Sequence, residues 1–88
     1  MYTVLVSITF QKQFNALDKD LQKRIRTALK ELEENPLEPR PHADIKLLVG
    51  TKPPKHRLRV GDYRIIYIVD ENTVRVIEVF RRERGYRE

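Results

Sequence analysis

The second half of the chain holds three short strand-like runs with almost no chain between them. Lys55 to Val60 and Tyr63 to Val69 are separated only by Gly61-Asp62, and Val74 to Phe80 follows after the turn at Asp70–Thr73. A parallel connection needs a crossover of a dozen or more residues, so these runs can pair only as antiparallel hairpins. Gly61-Asp62 suits a two-residue loop with glycine at its first central position. That loop sets Val60 opposite Tyr63, Arg59 opposite Arg64, Leu58 opposite Ile65 and Arg57 opposite Ile66. The turn at 70–73 likewise sets Val69 opposite Val74, and unbroken pairing from there brings Arg64 beside Val79.

The first half reads as one strand and two helices. YTVLVSI, residues 2–8, is short and rich in β-branched and aromatic residues, which predicts a strand. Thr9 is the expected N-cap of a short helix whose face is Phe10, Phe14 and Leu17. Asp18 is the expected N-cap of a second, with Leu21, Ile25, Ala28, Leu29 and Leu32 as its apolar stripe. Both stripes read as core faces. Asn35-Pro36 ends the second helix, and PLEPRPHAD, residues 36–44, is an extended proline-rich loop. Ile45 to Val49 follows as a short edge strand. The order β-α-α-β-β-β-β predicts one two-layer α+β domain over residues 1–88, with both helices on one face of the sheet.

Alternation along the hairpin gives its two sides opposite characters. Leu58, Val60, Tyr63, Ile65 and Tyr67 should meet the helices, while Lys55, Arg57, Arg59 and Arg64 share the other face. Like charges directly opposite one another repel, and no acid on either strand relieves them. A face built this way suits an anion. Simple alternation adds Arg81 to the basic face and puts Arg82 on the core face; a bulge or strand end nearby would leave parity unable to decide between them.

Composition sharpens this. The net charge is +5; residues 1–44 carry seven Lys/Arg and seven Asp/Glu, whereas residues 45–88 carry eleven and six. Charge gathered in one half points to a polyanionic partner such as nucleic acid. With no cysteine, disulfides, thiolate zinc sites and a cysteine nucleophile are excluded. No apolar run reaches a membrane span, and MYTVLVSITF lacks the basic flank and cleavage site of a signal peptide. The expectation is a soluble, cytoplasmic protein with no membrane partner.

The segment RLRVGDYRIIYIVDENTVRVIEVFRRERGY resembles the second half of the RelE/ParE toxin superfamily of type II toxin–antitoxin systems. The pattern basic-Leu-Arg-x-Gly-x-Tyr-Arg, two apolar residues and Tyr carries the likeness. The N-terminal strand and the two helices ending at Asn35-Pro36 extend it over nearly the whole chain, and RRERGY favours the RelE branch. The resemblance implies a RelE-like fold and a ribosome-dependent endonuclease that cuts mRNA in the A site. In such toxins a 2′-hydroxyl attacks the adjacent phosphate and leaves a 2′,3′-cyclic phosphate. No metal or cofactor is implied, and a RelB-like antitoxin is the implied partner.

Carried over by position, Arg64 matches the family's central catalytic arginine, Lys55 and Arg57 a basic pair on the preceding strand, Arg82 the arginine of the tail, and Tyr86 the terminal tyrosine. Arg57 stands where the family often has lysine; arginine does not deprotonate, so it offers charge stabilisation rather than proton transfer. Arg59, Arg81 and Arg84 are expected to hold RNA. The proton acceptor is expected to be Tyr86 or Lys55, although tyrosine and lysine start from reference pKa values of about 10 and 10.4 and must be lowered. Glu83, between Arg82 and Arg84, ranks below them as an ion-pair partner. His42 and His56 read as structural. Two other functions fit the same face: a ParE-like toxin that inhibits DNA gyrase by protein contact, and a non-catalytic RNA-binding module.

Overall fold

Thr3–Val6 forms β1, Ile8–Asn15 α1, Lys19–Glu34 α2, Asp44–Leu47 β2, His56–Val60 β3, Tyr63–Asp70 β4 and Thr73–Arg81 β5 in the computed structural model, which describes residues 1–82. The strands make one sheet in the order β1-β5-β4-β3-β2. The last four pair antiparallel as the short loops demand, and β1 runs parallel to β5 at the far edge. Both helices cover one face. Phe10, Leu21, Ile25 and Leu32 pack there against Leu58, Ile65, Tyr67, Val74, Val76 and Val79.

Asp18 caps α2 as expected, its Oδ1 accepting the Leu21 N–H at 2.9 Å. The cap of α1 is Ser7, not Thr9, and β1 accordingly stops at Val6. Ser7 is favoured because its hydroxyl serves two elements. It accepts the Phe10 N–H at 2.9 Å and donates to the Ile77 carbonyl on β5.

That second bond marks a β-bulge. The β3–β4 hairpin has the expected register, and Gly61 takes the φ of +58° that its turn position needs. Val69 also faces Val74, but pairing then shifts between Ile66 and Tyr67: Tyr67 faces Val76, Ile66 faces Glu78, and Ile77 has no partner opposite it. The elements around the bulge take up its backbone groups. Ser7 N–H donates to Val76 O at 2.9 Å, and Gln13 Oε1 accepts the Val79 N–H at 2.7 Å. The consequence is a correction: Arg64 lies opposite Phe80, not Val79.

The proline loop is pinned at two points. Arg40 donates to the carbonyls of Asn35 (2.9 Å), Glu38 (2.6 Å) and Glu31 (2.8 Å), and to the Glu31 carboxylate at 3.1 Å. A cation at a helix C-terminus is stabilising, and α2 has no basic residue in its own last turn. Tyr67 Oη donates to Pro36 O at 2.7 Å and anchors the same loop to the core. Arg40→Met keeps the aliphatic stem but strands these carbonyls, so it should lower unfolding free energy by about 1.5–3 kcal/mol in urea titrations. Arg40→Lys should recover less than half of that loss, because a point charge cannot fork.

Candidate functional site

The register of four strands fixes what shares the face away from the helices. One row runs Asp44, Arg59, Arg64, Phe80; the next runs Lys46, Arg57, Ile66, Glu78. Arg59 and Arg64 are directly opposed, as the hairpin requires. The cations differ in their surroundings. Arg59 is exposed and its Nε donates to Gly61 O at 3.2 Å, whereas Arg57 is 7% and Arg64 2% exposed. Two of the row's guanidiniums are therefore built into the sheet surface.

The expectation of a face without carboxylates is also corrected. Arg57 Nη1 donates to Asp44 Oδ1 at 2.9 Å and to Asp44 O at 3.0 Å. Asp44 comes from β2, whose register the hairpin alone does not reveal. Glu78 comes from β5. Continued from Val69–Val74 without a bulge, the pairing would set Glu78 against Ile65 on the helix side; the shift turns it to Ile66 on the basic side.

The same shift moves Arg81. It faces Tyr63 and lines a recess with Asp18, Asp20, Arg24 and Asp62. Arg81 thus lies on the helix side, not beside Arg64. Arg82 follows the strand, exposed, with its N–H donating to Asp62 O at 2.9 Å, so the chain leaves β5 at the hairpin tip. Lys55 is half-buried immediately before β3, its N–H held by Thr51 Oγ1 at 2.8 Å. Glu83, Arg84 and Tyr86 lie outside the described residues.

His56 faces the helix side as alternation predicts and stacks on Tyr67, with ring centroids 5.4 Å apart and an interplanar angle of 17°. Burial pushes Tyr67 far above the ordinary tyrosine range, with Arg40 and Arg57 pulling the other way, so Tyr67 is no base. His42 is exposed and lines a groove of about 720 Å³ between α2 and the β3–β4 turn, with Lys23, Arg24 and Arg59. That groove lies on the helix side. Among the described residues no group of three His, Cys, Asp or Glu could hold a metal ion, and no helix is long and apolar enough to cross a membrane.

This fold and arginine arrangement can be set beside known proteins. Residues 4–86 match the family model described as the ParE toxin of the type II toxin–antitoxin system parDE. The chain belongs to the RelE/ParE superfamily of type II toxins. No curated protein sequence matches it. Among solved structures it is similar to the archaeal RelE–RelB complex from Pyrococcus horikoshii, at 30% identity and a TM-score of 0.81 over 96% of this chain and 98% of that one. The RelB–RelE complex from Methanococcus jannaschii matches at 29% and 0.73, over 90% and 91%. The E. coli RelBE complex shares the fold at 24% identity and 0.64, over 96% and 100%.

Burial lowers the His56 pKa below its reference of 6.5. The folded toxin thus prefers the neutral ring, and the unfolded chain binds the proton more readily. Stability should be full above about pH 6.5 and fall as pH drops from there towards the lowered folded value. Urea midpoints measured across that window should slope for the parent and flatten for His56→Phe.

Proposed function

We propose that this toxin is a metal-independent, ribosome-dependent endoribonuclease that cleaves mRNA in the A site. The observation that carries the reading is the pair Arg57 and Arg64, nearly buried on one sheet face with Arg59 beside them. Such guanidiniums lose little freedom when they meet a phosphate, and their planar forks match its oxygens. Transesterification at phosphorus needs in-line geometry and donors aimed at the charge that grows on the phosphorane. Arg64 and Arg57 supply those donors. Arg59 and Arg82, exposed at the hairpin tip, hold the flanking backbone, and Lys55, two residues before Arg57, adds a fifth cation. Arg81 belongs to a separate helix-side cluster and is dropped from this wall.

The partner that restrains the toxin is proposed to be a RelB-like antitoxin. The relatives from P. horikoshii and M. jannaschii were solved as RelE–RelB complexes, which supports this. An antitoxin that covers the basic face should be acidic there.

A second reading has one specific observation in its favour: the matching family model describes ParE toxins. A ParE-like protein would inhibit DNA gyrase through protein contact. Two assays separate the readings, mRNA cleavage on programmed ribosomes and gyrase supercoiling. The endonuclease reading expects cleavage ending in a 2′,3′-cyclic phosphate and no effect on gyrase. Arg64→Ala should slow cleavage by about 10²–10³-fold and abolish growth arrest on induction. Cleavage by Arg64→Ala at the parental rate, from protein with a parental unfolding midpoint, would contradict it.

A further inference from the structure

Among the described residues the chemistry proposed above has been given no proton acceptor, and the sheet register supplies one. We propose that Glu78 is the catalytic base that takes the proton from the attacking 2′-hydroxyl; this rests on the endonuclease reading. Three observations carry it. Glu78 faces Ile66, and Ile66 is fully buried yet outside the core cluster under the helices, so the two residues share the outer face. On that face Glu78 is diagonal to Arg64, two residues along the neighbouring strand, and one strand further from Arg57. Diagonal neighbours stand roughly 7–8 Å apart, within reach of long side chains, so a glutamate and an arginine so placed can address one phosphodiester. Lastly, Glu78 is half-buried but its carboxylate makes no hydrogen bond or ion pair with any described residue.

The competing groups among the described residues are worse placed. Asp44 is the other carboxylate in these two rows, and it is committed to Arg57 through both its Oδ1 and its carbonyl. Tyr67 lies in the core. A lysine such as Lys55 must lose its charge before it can accept a proton, whereas a carboxylate is in its basic form at neutral pH. Among the described residues the charged groups around Glu78 on this face are Arg64 on β4, Arg57 and then Lys46 beyond it, and Arg75 three residues back on its own strand, with Asp44 further off and paired to Arg57.

The step balances. The O2′ proton passes to the Glu78 carboxylate as the O2′–P bond forms and the P–O5′ bond breaks. Arg64 and Arg57 hold the non-bridging oxygens meanwhile. Solvent water protonates the departing O5′, and the resulting hydroxide takes the proton back from Glu78. The products are a 2′,3′-cyclic phosphate and a 5′-hydroxyl, with no net consumption of water.

The test is single-turnover cleavage of A-site mRNA on programmed ribosomes by the parent toxin, Glu78→Gln and Glu78→Asp, followed from neutral to acid pH. The parent rate should fall on the acid side as the carboxylate protonates. Glu78→Gln should be slower by about 10²-fold or more and lose that acid limb, while keeping the parental unfolding midpoint. Glu78→Asp should retain the limb at a reduced rate, which keeps the test decisive if the glutamine variant does not fold. Cleavage by a folded Glu78→Gln at the parental rate, or with the limb intact, overturns the assignment of Glu78 alone. A parent toxin that cleaves no mRNA overturns the endonuclease reading and this proposal with it.

Discussion

One extra residue in β5 decides what the toxin presents to its surroundings. Ile77 has no partner across the sheet, and Ser7 holds its carbonyl from the start of α1. A one-residue shift in a strand sends every later side chain to the other face. Here the shift brings Glu78 and Phe80 to the basic side and sends Arg81 to the helix side. Bulges recur where a sheet must re-aim a side chain, and Gln13 and Ser7 satisfy the backbone groups this one releases. The junction between the N-terminal strand and the first helix thus controls the composition of a surface on the opposite face of the sheet.

That surface combines costs that a purely structural face would avoid. Arg59 and Arg64 oppose each other, and Arg57 and Arg64 are nearly buried. Burying a charge is expensive unless it is paired, and Asp44 meets that demand for Arg57. The arrangement stiffens the guanidiniums before any ligand arrives, which lowers the entropy lost on binding. It also separates two roles, with fixed arginines in the middle of the sheet and exposed ones at the hairpin tip.

Much of this was legible in the sequence, for reasons of range. The hairpin at Gly61-Asp62 allows only one economical register, so the Arg59–Arg64 pairing and the helix-facing side of Leu58, Ile65 and Tyr67 followed from a few adjacent residues. Asp18 was legible as a cap because its partner, Leu21, is three residues away. Ser7 was not, because its deciding bond is to Ile77, seventy residues on. The bulge leaves no local mark either: VRVIEVF alternates plausibly in both registers. Arg40 likewise sits in a proline-rich loop that looks featureless until its guanidinium reaches the end of α2. The arginines of the face were therefore visible from the hairpin, while Asp44 and Glu78 came to it on strands whose register only the folded sheet defines.

The central claim is that this register, set at Ile77, joins the arginines and Glu78 on one surface. Nuclear Overhauser effects between the backbones of β4 and β5 in the isotopically labelled protein test it directly. The account predicts cross-strand contacts linking Arg64 to Phe80, Ile66 to Glu78 and Tyr67 to Val76. Contacts linking Arg64 to Val79 and Ile66 to Ile77 would mean an unbroken ladder, with Glu78 turned to the helix side, and would contradict it.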